Sequence, residues 1–306
     1  MEGCVKQIFK NNRKVNMIVD IHADDYGYSI NTSKDILDCM KKGCLDSISI
    51  ICNTNAFEES VNLLYKEIPS LPFLPKMSVH LNFPEGKGDI LPLSWGKLFL
   101  SNSSIKEGLK KEIKKQIDTV NEVIENCIEI AAKNNIKCTQ KGLRIDTHIH
   151  THPIPIVWKS LIETLEEGSH NVEYIRNPKE PIIPFIKHTD LISTYGIVNI
   201  IKNRILMFYS SKIDKYCDKH SLPKMYMWGL TMSGHMDFDR INKVYKDMYD
   251  YANKHNRNLE LLFHPGQALE SEYSSEMNKD YFKDANLSIN RKIEKDSVLR
   301  IREIMR

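Results

Sequence analysis

Short apolar runs alternate with segments of helical periodicity along most of the chain, and this alternation restricts its fold more than any other feature. Seven runs are predicted strands, at residues 15–23, 46–52, 76–81, 143–148, 172–176, 225–231 and 259–263. Repeated strand–helix units of this kind form a largely parallel sheet covered by helices. The chain has 306 residues, a length that suits one α/β barrel with insertions as well as two smaller domains.

Amphipathic helices are predicted between the strands. One runs to Lys42, with Asn31, Thr32 or Ser33 as its cap and Gly43 as its end. Others span residues 104–133, 157–167 and 237–255.

Two stretches do not follow the repeat and are predicted to be long loops over one end of the barrel. Residues 82–102 are rich in Gly, Pro and Ser, and residues 177–184 contain prolines that disfavour a helix. We predict that the second stretch opens an irregular region that continues to about Ser221. The expected organisation is a polar extension at residues 1–14 and a single domain at residues 15–306, with insertions near 82–102 and 177–221.

The overall composition argues against several classes of function. The 43 basic and 40 acidic residues leave a net charge of +3, and no basic block with interleaved aromatic residues suggests a nucleic-acid groove. The seven cysteines form no C-x-x-C pair, which indicates reduced thiols rather than a disulfide framework or a zinc ribbon. We find no signal-peptide pattern and no apolar run of about 20 residues. These features predict a cytoplasmic protein without nucleic-acid or membrane partners.

Two adjacent carboxylates, Asp24 and Asp25, stand at the end of the first predicted strand, within the motif His-Ala-Asp-Asp-Tyr-Gly at residues 22–27. Adjacent residues of a strand point to opposite faces, so this pair can share one site only where the chain turns. One carboxylate could then bind a metal while the other acts as a general base. The alternative is a solvent-exposed turn, because Asp and Gly are common turn formers.

Asp146, His148, His150 and His152 recur at every second position along the fourth predicted strand and its extension. On an extended chain this spacing places all four side chains on one face. Imidazoles beside a carboxylate are typical of metal ligands with an orienting partner. Successive residues on one face lie roughly 6.5–7 Å apart, so we do not expect all three histidines to reach one ion. The alternative is an edge strand whose histidines face solvent.

His80 and His264 each end an apolar run, at the position where barrel strands present functional groups. Because active sites gather at the carboxyl ends of parallel strands, His80 is a good further ligand and His264 a candidate for the same pocket. Asn53 and Arg176 also follow strand-like runs, with a turn residue and a surface ion pair as the alternatives. His235 follows the run at 225–231 and could line the mouth of the pocket.

Together these motifs resemble the family of chitooligosaccharide and carbohydrate deacetylases often called YdjC-like. Family members begin with an Asn-Ala-Asp-Asp-Phe-Gly type motif, matched by residues 22–27, and continue with a Gly-x-His-Leu segment, matched by residues 78–81. An Asp-Ser-His-x-His-x-His segment is matched by residues 146–152, and a closing His-Pro-Gly by residues 264–266. All four occur in family order. In this chain His22 replaces the usual Asn, and Ser78 stands where Gly is common.

The resemblance implies a distorted (β/α) barrel, similar to a TIM barrel and of the type found in glycoside hydrolases and deacetylases. It further implies one divalent ion on Asp25, His80 and His148, and hydrolysis of an N-acetyl group from an amino sugar or an N-acetylated oligosaccharide. The ion, Mg²⁺ or Zn²⁺ with Mn²⁺ and Co²⁺ also compatible, is expected to polarise the amide carbonyl and acidify a water molecule. In this mechanism Asp24 is the base and His264 the acid.

Six further residues are expected to bind the saccharide or to support the ligands, with Asp146 orienting one of them: Asp146, His150, His152, Arg176, Asn53 and His235. The expected partner is therefore a small N-acetylated saccharide, and a homodimer is compatible with the sequence. One alternative is hydrolysis of another bond, such as a phosphoester, although two-metal phosphoesterases need more carboxylate bridges than this sequence offers. Another is an inactive barrel that binds sugar, which the presence of both aspartates and His264 disfavours.

Overall fold

The computed structural model describes residues 17–101 and 103–305, and the predicted extension at residues 1–14 lies outside them. Seven parallel strands form one curled sheet: β1 (Val19–Tyr26), β2 (Ser47–Ile50), β3 (Lys76–Leu81), β4 (Leu143–Thr147), β5 (Val172–Ile175), β6 (Met225–Trp228) and β7 (Asn258–Phe263). Each strand overlaps the run that was predicted for it. The predicted distorted α/β barrel is confirmed.

The strands follow the order β5-β4-β3-β2-β1-β7-β6, which places β2 at the centre and β1 between β2 and β7. Among the described residues no ladder joins the edge strands β5 and β6, so the barrel is open along this seam. A single backbone hydrogen bond crosses it, from the N–H of Met227 to the carbonyl oxygen of Lys179 at 3.1 Å. Because all the strands are parallel, their carboxyl ends lie at one end of this open barrel.

Helices connect and cover the strands: α1 (Ile30–Lys41), α2 (Phe57–Glu67), α3 (Trp95–Leu100), α4 (Lys106–Lys133), α5 (Pro155–Glu167), α6 (Ile183–Ile186), α7 (Ile197–Tyr209), α8 (Ser211–His220), α9 (Phe238–Lys254), α10 (Lys279–Tyr281) and α11 (Asn290–Arg300). Short 3-10 turns lie at Ile68–Ser70, Ser103–Ile105, His148–His150, Thr189–Thr194, Glu270–Glu272 and Ile301–Glu303, and a π turn at Phe282–Asn286. None of the helices in the described ranges is long and apolar enough to span a membrane. The six cysteines within these ranges are free thiols, as predicted.

The strands have an apolar outer face and a polar inner face. In β1, Ile21 and Ala23 belong to the apolar core, whereas Asp20 and His22 hydrogen-bond across the interior to serines of β2. Because side chains alternate along a strand, the same pattern in β2, β3 and β4 places on the inner face Ser47, Ser49, Ser78, His80, Arg144 and Asp146. The interior of this barrel is therefore a polar network.

Helix α1 begins one residue or more before the predicted cap. Ser29 is the cap, and its Oγ accepts a hydrogen bond from the N–H of Thr32 at 3.1 Å. The prediction of Asn31, Thr32 or Ser33 is wrong, because these residues already lie in the first helical turn. Gly43, with a φ of 66°, ends the helix as predicted, and its N–H donates to the carbonyl oxygen of Met40 at 2.9 Å.

The region at residues 177–221 is largely helical, so the prediction of an irregular region is wrong. Its prolines all precede α7, and Pro184 lies in the first turn of α6, where a missing N–H removes no helical hydrogen bond. Glu180 anchors the region to the segment after β6. Its buried carboxylate accepts hydrogen bonds from the N–H groups of Gly229, Leu230 and Thr231 at 2.7–3.0 Å.

Candidate metal centre

A bulge at the end of β1 brings the carboxylates of Asp24 and Asp25 to one site. Asp25 has a φ of 71°, and the pairing of β1 with β2 shifts register between Ala23 and Tyr26. Both carboxylates then face His80 Nε2, from Asp24 Oδ2 at 3.9 Å and from Asp25 Oδ1 at 3.5 Å. Both aspartates are buried, which excludes a solvent-exposed turn. The chain turns at the pair, as the predicted sharing of one site requires.

Asp25, His80 and His148 form one buried cluster, which we call the metal cluster. They come from the ends of β1 and β3 and from the turn after β4. Asp25 Oδ1 lies 3.1 Å from His148 Nδ1, and one ligand-type atom of each residue lies within 4.8 Å of the others. The structure thus brings together the three side chains implied as ligands, and their binding of a metal stays a prediction.

The polar atoms of the metal cluster fit a divalent cation. Asp25 Oδ2 is buried and has no hydrogen-bond partner among the described residues, and such an atom calls for a ligand. A carboxylate and two imidazoles are ligands that Zn²⁺, Mn²⁺ and Co²⁺ accept. His80 Nδ1 lies 2.5 Å from Asp146 Oδ1, so Asp146 fixes this ring with Nε2 facing Asp25. A carboxylate behind the imidazole is the usual support of a metal-binding histidine.

Carboxylates around the two imidazoles favour positive charge in the cluster. Burial by itself would lower the pKa of His80, but Asp24 and Asp146 outweigh it and raise that pKa to about 10. Burial would also lower the pKa of His148, but the charge of Asp25 outweighs this effect and raises that pKa to about 9. Because metal ligands must be deprotonated, a bound cation would take the place of these ring protons.

Arg176 holds Asp24 in a fixed orientation. Its Nη1 and Nη2 donate to the two carboxylate oxygens of Asp24, both at 2.8 Å, and its Nε donates to Glu260 Oε1 at 2.6 Å. Burial would raise the pKa of Asp24, but the charges of Arg176 and His80 hold it well below its usual value. Asp24 is therefore ionised. Arg176 is fully buried, so the alternative of a surface ion pair is wrong.

His264 follows β7 and faces Asp24, with Nε2 4.0 Å from Oδ2. Its side chain is 18% exposed, in contrast to the buried metal cluster. Helix α11 holds its backbone, because the His264 N–H donates to Glu294 Oε2 at 2.7 Å and Arg291 Nη1 donates to its carbonyl oxygen at 3.3 Å. The backbone is thus fixed while the imidazole remains open to the pocket.

The extended chain predicted through residues 146–152 is wrong. Strand β4 ends at Thr147, and the next residues form a 3-10 turn in which Ile149 and His150 have φ values of 47° and 57°. This turn sends the side chains of His148, His150 and His152 in different directions. Only His148 joins the metal cluster, which agrees with the expectation that the three histidines cannot all reach one ion.

His150 and His152 have different surroundings. His152 is buried, with Nδ1 2.7 Å from Thr147 Oγ1 and Nε2 2.7 Å from the carbonyl oxygen of Arg176. Burial lowers its pKa to about 3, so the ring is neutral and joins β4 to the end of β5. His150 is 7% exposed, and its Nδ1 has no hydrogen-bond partner in the part of the chain that the structure describes. His150 thus has a buried ring nitrogen that no described residue satisfies.

Asn53 and His235 make local contacts outside the metal cluster. The side-chain amides of Asn53 and Asn82 hydrogen-bond to each other at 3.0 Å, and the carbonyl oxygen of Asn53 accepts the N–H of Lys87 at 2.8 Å. Asn53 therefore fixes the start of the loop after β3, which favours the turn alternative. His235 is exposed in the turn after β6, where its N–H donates to the carbonyl oxygen of Met232 at 2.7 Å.

Sequence reasoning missed five polar residues that surround the pocket, namely Glu85, Tyr28, Tyr281, Glu260 and Glu294. Glu260 had a detectable signal, because it is the one charged residue within the otherwise apolar strand 259–263. The rings of Tyr28 and Tyr281 pack on His148 with centroid distances of 6.0 Å and 5.3 Å. No local pattern predicts these contacts, since Tyr281 lies more than a hundred positions away in the chain.

The fold and the site define an open α/β barrel with a buried carboxylate–imidazole cluster at the carboxyl ends of its strands, where barrel enzymes hold their active sites. A model of the YdjC-like protein family matches residues 19–299. The chain belongs to the YdjC-like family, as the motifs predicted.

Curated relatives are described as carbohydrate deacetylases. Those of Clostridium beijerinckii and Xenopus laevis are 28% and 24% identical to this chain over 192 and 167 residues. The alignments cover 61% and 52% of this chain, and 72% and 50% of those proteins. The chain thus spans about half the length of the Xenopus laevis protein that it matches.

The fold is also found in a solved structure. It is that of an Enterococcus faecalis protein named as a candidate cellobiose-phosphate cleavage protein, with a TM-score of 0.50 and 14% sequence identity. The superposition covers 95% of this chain and 94% of that protein. This likeness supports the barrel architecture alone.

Proposed function

We propose that this protein is a metal-dependent hydrolase that removes an N-acetyl group from an amino sugar or an N-acetylated oligosaccharide. The observation that most supports the proposal is the metal cluster, which lies beside a second, ionised carboxylate, Asp24. The YdjC-like family and the relatives described as carbohydrate deacetylases support an amide bond of a saccharide as the target.

In this proposal Asp25, His80 and His148 hold one divalent cation. When bound, such a cation polarises a carbonyl group and lowers the pKa of water towards about 7. Three protein ligands leave positions open for water and substrate. The candidate ions are Zn²⁺, Mn²⁺, Co²⁺ and Mg²⁺, and elemental analysis of protein purified without chelators would identify the ion.

Asp24 is the proposed general base. Two hydrogen bonds from Arg176 orient its carboxylate before substrate binds and keep it ionised, so it can accept a proton from the attacking water. The water oxygen adds to the acetyl carbon, and His264 donates a proton to the amide nitrogen as the C–N bond breaks. The products are acetate and a free amine. The 4.0 Å separation of Asp24 and His264 lets both groups reach the same amide.

We further propose that residues 82–102 and the largely helical residues 177–221 select the saccharide, because the segments that connect barrel strands set specificity whereas strand ends set chemistry. His150 is the residue that we expect to contact the sugar, since its buried Nδ1 has no other partner in the described ranges. A neutral ring there suits a sugar hydroxyl, because burial and Arg176 hold the pKa of His150 well below its usual value.

Acetate release from a panel of N-acetylated saccharides tests the proposal directly. The protein would be loaded separately with each candidate ion, and free acetate and free amine would be measured together. We expect equal amounts of both products with at least one saccharide and loss of activity in chelator. Bound metal without acetate release from any saccharide would contradict the proposal and favour an inactive sugar-binding barrel.

Asp24→Asn is the matched variant for this assay. The substitution keeps the shape of the side chain but removes the base, so we expect turnover to fall by about 10²- to 10⁴-fold while metal content stays unchanged. Loss of the metal in this variant would show that Asp24, rather than Asp25, is the carboxylate ligand.

A further inference from the structure

The two imidazoles of the metal cluster have opposite orientations. His80 turns Nε2 towards Asp25, at 3.5 Å, and Nδ1 towards Asp146. His148 turns Nδ1 towards Asp25, at 3.1 Å, so that Nε2 points away from the cluster. His148 Nε2 is buried and has no hydrogen-bond partner among the described residues. One of the two rings thus has a carboxylate behind it, and the other has an unsatisfied nitrogen.

A carboxylate faces that nitrogen, because Glu85 Oε1 lies 3.8 Å from His148 Nε2. Glu85 is 3% exposed, and its Oε2 accepts a hydrogen bond from Tyr28 Oη at 2.9 Å. The ring of Tyr28 stacks on His148 at an interplanar angle of 26°. One oxygen of Glu85 is therefore held in place, and the other is directed at the nitrogen that lacks a partner.

Two hydrogen bonds fix the backbone that directly follows Glu85. The N–H of Gly86 donates to the carbonyl oxygen of Glu276 at 3.0 Å. The N–H of Lys87 donates to the carbonyl oxygen of Asn53 at 2.8 Å. Gly86 has a φ of 87°, and a Cβ there would lie 2.6 Å from the carbonyl oxygen of Asn53. Only glycine permits this close approach, so the loop is built to hold Glu85 where it is.

We propose that Glu85 is a positioning residue for His148, accepting a hydrogen bond from Nε2–H and leaving Nδ1 free for the cation. N–H···O hydrogen bonds are about 3 Å long, so a movement of less than about 1 Å closes the gap. Such contacts are often long in ligand-free sites and shorten when the site is occupied. Glu85 then supports His148 as Asp146 supports His80.

The inference rests on the proposed metal site, and metal affinity measured without substrate tests it. Competition with a chromophoric chelator gives the Kd of the full chain for Zn²⁺ and Co²⁺. We expect Glu85→Ala to weaken binding by about 10- to 100-fold, the usual cost of losing such a support. Glu85→Gln should restore most of the affinity, since its amide oxygen still accepts a hydrogen bond. Tyr28→Phe should have a smaller effect than Glu85→Ala.

Glu112→Ala is the control, because Glu112 is also buried and also hydrogen-bonds to one side chain, that of Gln116. The thermal unfolding of each variant without metal reports structural damage separately. Wild-type affinity in Glu85→Ala would overturn the inference. A changed Co²⁺ absorption spectrum at saturation would also overturn it, because Glu85 would then be a ligand. Failure of the wild-type chain to bind any metal would contradict the proposed function itself.

Discussion

Among the described residues, three groups of buried carboxylates and imidazoles lie in this barrel, and two of them that share no residue differ in how their polar atoms are used. One is the metal cluster of Asp25, His80 and His148. The other, which we call the inner cluster, consists of Asp20, His22 and Glu260. Both bring ligand-type atoms within 4.8 Å of one another. Proximity of suitable residues therefore does not distinguish them.

The polar side-chain atoms of the inner cluster have hydrogen-bond partners within the described protein. Asp20 accepts hydrogen bonds from Ser47 Oγ at 2.6 Å and Arg144 Nη2 at 3.1 Å. Glu260 accepts hydrogen bonds from Tyr174 and from Arg176, and both nitrogens of His22 contact serine hydroxyls. Two buried arginines also balance its charge. This cluster needs no cation.

In the metal cluster, Asp25 Oδ2 has no partner among the described residues, and the positive charges that lower the pKa of Asp25 are those of imidazoles. Buried polar atoms without partners are costly and are rare in native proteins. The difference teaches that unsatisfied atoms, rather than the residue types alone, indicate where a ligand belongs.

The largest expected effect comes from Asp25→Asn, which removes the negative charge from the metal cluster. Asn tolerates a positive φ, so the backbone should be preserved. We expect metal affinity to be lost and acetate release to fall by at least about 10³-fold, since metal-ion catalysis supplies several kcal/mol. Chelator competition and the acetate assay measure the two effects. Wild-type metal affinity would show that the cluster was misassigned.

Asp20→Asn is the matched change in the inner cluster, and its effect should be on stability. It leaves the buried charge of Arg144 without its main partner, which typically costs about 3 kcal/mol or more. We expect the free energy of unfolding in urea to fall by that amount, with the Kd for Zn²⁺ within about twofold of the wild-type value. A large loss of metal affinity would mean that the inner cluster binds the ion.

The smallest effect concerns Glu294, a buried carboxylate that belongs to neither cluster. Burial raises its pKa from 4.5 to about 7, although Arg291 opposes the shift. Between these two pH values the folded protein keeps a proton that the unfolded chain releases, so wild-type stability falls as pH rises. The loss is about 1.4 kcal/mol per pH unit.

Glu294→Gln removes this titration. Relative to wild type, we expect the variant to become more stable by roughly 3 kcal/mol between pH 4.5 and 7. The measurement is the free energy of unfolding in urea at a series of pH values. Other titrating groups contribute equally to both proteins, so any difference in the pH dependence comes from Glu294. If the free energies of unfolding of the two proteins changed in parallel with pH, the prediction would be wrong.

The sequence predicted those parts of the molecule that depend on local periodicity. Apolar runs located the seven strands of the described residues, and the polar residues at their ends predicted a shared site. The choice of Asp25, His80 and His148 within that site came from the resemblance to the YdjC-like family. The same reasoning failed at residues 148–152, because Ile149 and His150 adopt positive φ values that their side chains disfavour. Packing imposes this turn, for example through the hydrogen bond from Trp95 Nε1 to the carbonyl oxygen of Ile149 at 3.3 Å.

The helices of the 177–221 region were missed for another reason. Helix α7 is apolar on its outer side as well, with Ile197, Val198 and Phe208 exposed by 68–76%, so it lacks the polar stripe that marks a surface helix. Contacts between segments that are distant in the sequence could not be predicted either. Glu85, Tyr281 and Glu294 reach the pocket from loops and helices whose local sequence contains no repeating pattern.

The left-handed backbone at Asp25 limits how this protein can change over evolutionary time. Position 25 must satisfy two separate requirements, a conformation that few residues tolerate and a negative charge. In a lineage that no longer needed the chemistry, the negative charge would no longer be required, but the left-handed conformation still would be. Inactive descendants of this barrel should therefore carry Asn or Gly at position 25 and keep the bulge, which gives a simple way to distinguish them from working enzymes.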